Sequence, residues 1–408
     1  MIKKPEILSP AGNFEKLRAA IRYGADAVYL AGKSFGMRSS SDNFDLDELK
    51  QACDYVHSFG KKLYLTVNTM PHGDEYPALR EFLEEISSFG IDAMIVADLG
   101  VIATIKEILP EMQIHISTQA GITSPAAALA YARLGASRLV LARELTLPEI
   151  RAIRDSLPPE IELEAFVHGA MCVSYSGRCL LSNMLIGRDA NRGMCAQPCR
   201  WNYTILEEKR LDLPIPVEQD EKGTYIMSSK DMCTVELIPQ LVAAGINSFK
   251  IEGRVKSAYY TAVVTNSYRM ALDAYYNDPE GYSFDPAWMT ELESVSHREY
   301  ATGFYLNTPA ENAQLCASSG YIREKSYLAT AQANADAGEL CRFMQKNKLI
   351  VNEEVELLSP GKTGCRFTLT ELYDENGEPI ESAPHPSMTF FARLPFDVKE
   401  GDILRGAN

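Results

Sequence analysis

Five of the chain's nine cysteines lie close enough in sequence to act as one set: Cys172, Cys179, Cys195, Cys199 and, after a gap, Cys233. Their spacing reads C-x6-C-x15-C-x3-C, with thirty-three further residues before Cys233. Thiolates gathered this way can bind a metal, hold a cluster or act as nucleophiles. A structural zinc site usually shows paired C-x2-C knuckles, and a thioredoxin-type redox site needs C-x-x-C; the sequence has neither. Irregular spacing suits an iron–sulfur cluster, which needs four thiolates but no fixed pairing. Zinc, and buried or catalytic cysteines, stay open as alternatives on spacing alone.

The surroundings favour a cluster. Gly169, Gly177, Gly187 and Gly193 let backbone approach a bulky inorganic core. Arg178, Arg188, Arg192 and Arg200 can donate to sulfide or to an anionic substrate. From Arg178 to Arg210 there are six positive and three negative side chains, a small basic patch or else a solvated loop surface. Cysteine-protease chemistry needs a histidine base beside the thiol. Of six histidines only His168 is near these cysteines, and there is no G-x-S-x-G or H-E-x-x-H.

The elements that must position these groups are legible as a repeat. A helix-ending glycine precedes a short apolar run at Gly24, Gly60, Gly90, Gly135 and Gly245. The runs lack strict alternation, as strands buried on both faces of a parallel sheet do. With Ile7–Ser9, Ile114–Ser117, Leu163–Val167 and Tyr225–Ser228 they make nine candidate strands. Amphipathic stretches such as Leu46–Phe59 and Pro125–Leu134 fall between them. The pattern predicts an α/β fold, a TIM-like (β/α)8 barrel over residues 1–278 with a cysteine-rich insertion at about 170–224. One candidate strand is surplus, either 225–228 or 248–252. An open doubly wound sheet is the alternative, but no G-x-G-x-x-G follows the first strand. Residues 279–320 read as a connector. Short alternating runs with turns at Pro360-Gly361, Asn376-Gly377 and Gly401-Asp402 predict a small C-terminal all-β barrel domain over 321–408.

Barrel chemistry sits just past the strand ends. There stand Asn68, Asp98, Gln119, Glu144, His168, Lys230 with Asp231, and Glu252 with Arg254. Asp98 and Asp231 are equally good helix caps. His168, Lys250 and Glu252 are candidates for proton transfer. Arg200 and Arg254 are candidates for gripping carboxylate or phosphate, with Arg178, Asn68, Gln119 and Glu144 as further substrate contacts.

A net charge of −15 argues against a general nucleic-acid-coating protein, though a local basic patch can still bind RNA. No signal-peptide pattern and no run long enough to span a membrane are present, so a cytoplasmic enzyme is expected, without membrane partners. Nine cysteines in a reducing compartment are not expected to form disulfides.

The stretch EAFVHGAMCVSYSGRCLLS resembles the signature of the peptidase U32 family, the collagenase-like peptidases. GRDANRGMCAQPCRWNY, SSKDM and KIEGRVKSAYY are similar to its tRNA-hydroxylating branch, and ILSPAG, GADAVYLAG, STQAG and LARELTLPEI extend the match. The resemblance implies a [4Fe–4S] cluster and oxygen-independent hydroxylation of wobble uridine to 5-hydroxyuridine. It further implies tRNA as substrate and prephenate, a small carboxylate metabolite, as co-substrate. It leaves room for a protein partner. Other branches act on ribosomal RNA or a quinone precursor. Cys172, Cys179, Cys195 and Cys233 match the family's ligand pattern, with Cys199 as the alternate to Cys195 or Cys233. Peptidase activity is the competing function.

Overall fold

The structure is a computed structural model; it describes residues 3–37, 42–172, 174–175, 178–201, 218–220, 223–225, 229–308, 322 and 325–407. The chain divides into two compact units: residues 1–17, 25–256 and 297–321 in the first, and 18–24, 257–296 and 322–408 in the second.

The first unit is built on eight parallel strands that close on themselves. They are β1 (Glu6–Pro10), β2 (Ala27–Ala31), β3 (Lys62–Val67), β4 (Ala93–Val96), β5 (Gln113–Ile116), β6 (Arg138–Val140), β7 (Glu162–Ala170) and β9 (Ser248–Ile251). Each pairs in parallel with the next, and β9 pairs with both β7 and β1, so no edge is left. That is the expected (β/α)8 barrel. Of the two candidates 225–228 and 248–252, the second supplies the eighth barrel strand; Tyr225 ends a short strand, 223–225, that pairs antiparallel with 218–220, and residues 226–228 lie outside the described residues. β8 (Asp231–Cys233) instead pairs antiparallel with the upper end of β7, and β10 (Tyr300–Ala301) joins β8 in parallel.

The helices between the strands are α1 (Phe14–Arg22), α2 (Leu46–Ser58), α3 (Tyr76–Glu85), α4 (Leu99–Ile108), α5 (Pro125–Arg133) and α6 (Leu147–Ser156). α2 starts on a capping box, Asp45 with Glu48, which satisfies two orphan N–H groups reciprocally. Asp98 caps α4, accepting from Val101 N at 3.0 Å and from Tyr76 Oη at 2.9 Å. Asp231 is not a cap; it lies on β8 and is held by Arg298 Nε at 3.0 Å. Short α7 (Leu181–Ile186) and α8 (Ile238–Ala243) complete the unit.

Within the barrel Leu8, Ala27, Tyr29, Tyr64, Ala93 and Ile95 pack as one apolar cluster. The lower interior is charged. Arg138 reaches Glu6 at 2.7 Å, Glu162 at 2.5 Å and Glu164 at 3.2 Å. Buried charges persist only when paired and hydrogen-bonded. Burial raises the Glu6 carboxyl, but Arg138 outweighs it and holds the acid below its ordinary range.

In the second unit, α9 (Ala258–Asn277) and α10 (Pro286–Glu293) accompany an eight-stranded antiparallel sheet. Its interior stacks Phe343 on Phe390 at 5.5 Å. A buried polar knot joins Arg405 to Glu291 at 2.7 Å and to Glu356 at 2.8 Å.

Candidate functional site

The C-terminal ends of the barrel strands surround a cavity of about 150 Å³. Asn68 follows β3, Ser117 to Gln119 follow β5, Arg143 follows β6, Met171 and Cys172 follow β7, and Glu252 and Arg254 follow β9. Tyr29, Thr66, Phe166 and Lys250 rise from the strands to form the floor.

The remaining wall is the cysteine segment. Cys172, Cys179, Cys195 and Cys199 all line the cavity, each partly exposed. Three of these sulfurs accept a backbone N–H from two residues on: Ser174 to Cys172 at 3.4 Å, Leu181 to Cys179 at 3.3 Å, and Gln197 to Cys195 at 3.4 Å. Backbone N–H groups aimed at sulfur are the outer-shell donors that metal-bound sulfurs accept. Among the described residues no three His, Cys, Asp or Glu side chains are drawn together tightly enough for one ion. A closed zinc site needs every sulfur about 2.3 Å from one centre. Four soft sulfur donors along one wall are of the ligand type that an iron–sulfur cluster takes.

Local chemistry holds this segment in shape. Asn191 clamps Cys179 from both sides: its Oδ1 accepts from Cys179 N and its Nδ2 donates to Cys179 O, both at 3.1 Å. Asp189 caps the turn that carries Asn191, and Ser182 Oγ accepts from Ala196 N at 3.2 Å. Gly187 and Gly193 take left-handed φ of 70° and 89° to end successive turns, a conformation glycine enters without strain.

Cys233 stands elsewhere. It is buried on β8, opposite His168, and does not line the cavity. His168 shares that position because the β7–β9 pairing shifts register between Lys250 and Ile251. Its ring is 5.3 Å from that of Tyr300, and burial pushes its pKa down to about 3. It is therefore neutral near pH 7 and away from the cavity.

Lys250 does reach the cavity, with its Nζ 2.6 Å from Glu164 and 4.4 Å over the Tyr29 ring. Glu252 accepts from Tyr29 Oη at 3.3 Å. Arg254 is buried and donates to Thr66 Oγ1 and to the Met37 carbonyl. Gly12 allows this placement, since a Cβ there would stand 2.3 Å from the Arg254 carbonyl. Asn68 and Gln119 are joined by a 2.9 Å hydrogen bond, and exposed Arg178 donates to the Gln119 carbonyl at 2.7 Å. Glu144 is half-buried and off the cavity, and the Arg200 side chain lies outside the described residues. Lys230 pairs with Glu299 at 3.4 Å.

Sequence reasoning missed Arg143, which lies over the Phe166 ring at 4.9 Å and donates to Ala170 O at 2.9 Å. Its signal was its place immediately before Glu144, at the end of β6. Asn191 carried no signal, because an amide in a loop is ordinary.

No helix among the described residues is long and apolar enough to cross a membrane. The chain is 34% identical to tRNA hydroxylation protein P1 of Bacillus subtilis, over 99% of this chain and 95% of that protein. It is 33% identical to a collagenase of Porphyromonas gingivalis, over 97% of this chain and 95% of that protein. It is 39% identical to the 23S rRNA 5-hydroxycytidine C2501 synthase of Escherichia coli, over 66% of this chain and 39% of that protein. Residues 12–315 match peptidase family U32 and residues 323–405 match the peptidase family U32 C-terminal domain. With both units accounted for, the chain belongs to peptidase family U32.

Proposed function

We propose that this chain is an RNA-modifying hydroxylase that converts the wobble uridine of tRNA to 5-hydroxyuridine without oxygen, carrying a [4Fe–4S] cluster beside the barrel cavity. The observation that carries the reading is the cysteine wall with its backbone N–H donors, set against a floor of Lys250, Glu252 and Arg254. Similarity to a tRNA hydroxylation protein and to an rRNA hydroxycytidine synthase supports RNA as the substrate class.

Cys172, Cys179 and Cys195 are the common members of the ligand set. The fourth is Cys233 by resemblance to the family's pattern and Cys199 by its place on the cavity wall. A bound cluster supplies one-electron chemistry next to the substrate. The protein's own groups do the rest. Arg143 and Arg254 attract a small carboxylate such as prephenate. Lys250, fixed by Glu164, and Glu252, fixed by Tyr29, are placed to move protons at the cavity floor. Tyr29 and Phe166 offer flat apolar faces to a base.

The similarity to a collagenase favours peptide hydrolysis as the second reading. Against it, no histidine lines the cavity, so none of its cysteines has an imidazole base among the lining residues.

The test compares tRNA nucleosides by mass spectrometry in cells with and without the gene, alongside iron, sulfide and absorption spectra of anaerobically purified protein. Loss of 5-hydroxyuridine on deletion, with four of the five cysteine-to-alanine variants losing iron, is the expected result. Unchanged 5-hydroxyuridine in cells lacking any second route rejects it.

A further inference from the structure

The cavity holds an amide relay whose polarity is fixed. Met37 N, a backbone group that can only donate, gives its hydrogen to Asn68 Oδ1 at 3.1 Å. That forces Asn68 Nδ2 toward Gln119, where it donates to Oε1 at 2.9 Å. Ser117 Oγ, at 3.5 Å from the same oxygen, adds a second donor. Gln119 is thereby oriented with Oε1 satisfied inside the protein. Its Nε2 has no partner among the described residues, while Gln119 is 5% exposed and lines the cavity. Arg178, donating to the Gln119 carbonyl at 2.7 Å, pins the backbone of that turn.

We propose that Gln119 is the residue that selects the pyrimidine, using its outward amide N–H groups to donate to the 4-carbonyl of uracil and to reject the 4-amino group of cytosine. This rests on the reading that the target base enters the cavity. A void of about 150 Å³ is of the size that takes one six-membered ring. Uracil and cytosine differ at position 4 as acceptor against donor. A buried donor facing another donor loses a hydrogen bond and leaves both groups unpaired, which discriminates more strongly than shape does. An amide chain anchored on a backbone N–H cannot flip to suit the other base without breaking its own bonds.

Two variants reverse the outward polarity by different routes. In Gln119→Glu one carboxylate oxygen still accepts from Asn68, and the other faces the cavity as an acceptor. In Asn68→Asp the Met37 bond survives, but Gln119 must turn its Nε2 toward the new carboxylate and present its carbonyl outward. The experiment titrates full-length, anaerobically purified protein with synthetic RNA hairpins carrying uridine, cytidine or pyrimidin-2-one ribonucleoside at the same loop position. Hydroxylation of each hairpin is measured in parallel. The wild type should bind the uridine hairpin roughly tenfold more tightly than the cytidine hairpin, with pyrimidin-2-one between them. Both variants should reverse that order. Uridine preference unchanged in both variants, with the wild type still hydroxylating uridine, overturns the inference alone. Absence of hydroxylation on every hairpin overturns the reading of function, and the binding order then still decides the role of Gln119.

Discussion

Lys250 shows how a single side chain joins barrel interior to cavity. It lies over two aromatic rings and neutralises Glu164, which is fully buried and also touches Arg138. Replacing Lys250 by Met should cost up to about 3–5 kcal/mol, because it strips a buried carboxylate of its nearer partner. Denaturant midpoints would read this, and adding Glu164→Gln should restore part of the loss. His115 gives a second test. Burial first, then Arg138, Lys250 and Lys62, hold it well below the ordinary imidazole value. Its ring edge packs on Tyr64 at 4.7 Å, and its Nδ1 has no partner among the described residues. The unfolded chain binds a proton near pH 6.5 that the folded chain refuses, so stability falls as pH drops below that value. The slope from this group is at most about 1.4 kcal/mol per pH unit. His115→Phe should remove that contribution, seen as a shallower fall in unfolding free energy between neutral and acid pH. Lys250 and Glu252 were legible in the sequence because both sit at the end of an apolar run. His168 was misplaced because a register shift between paired strands leaves no mark in residue types.

At the scale of elements, the cysteine segment depends on polar clamps more than on packing. Asn191 fixes the backbone on both sides of Cys179, and α7 is too short to be stable alone. Asn191→Ala should leave the barrel's unfolding midpoint nearly unchanged while lowering iron retained after anaerobic gel filtration several-fold. Asn191→Asp, which keeps only the accepting half of the clamp, should fall between. Equal iron in all three proteins would show that the clamp does not hold the site. The barrel strands were readable because burial on both faces demands continuous apolar runs. The strand Leu340–Gln345 of the second unit was not, since its inward row ends in the polar Gln345. Cys199, which lines the cavity, was legible only as the alternate thiol. Spacing lists thiols in order, whereas α7 and the turns after it decide which of them face one space.

At the scale of the molecule, an acidic chain presents one basic, cysteine-bearing segment at the rim where barrels do chemistry. The barrel supplies a rigid floor of paired charges, and the segment supplies thiols and backbone donors. Seven of the eight barrel strands could be inferred from glycine spacing and apolar runs alone, whereas the eighth stayed open between 225–228 and 248–252. Which thiols meet, and which way the Gln119 amide points, required the folded chain. If these thiols serve RNA hydroxylation, their loss must be visible in tRNA. The most direct test is the 5-hydroxyuridine content of tRNA from anaerobically grown deletion cells complemented with the wild-type gene, Cys179→Ala or Cys53→Ala. Full restoration is expected from the wild type and from Cys53→Ala, a buried thiol on α2, and none from Cys179→Ala at equal protein level. Restoration by Cys179→Ala to the wild-type level would contradict it.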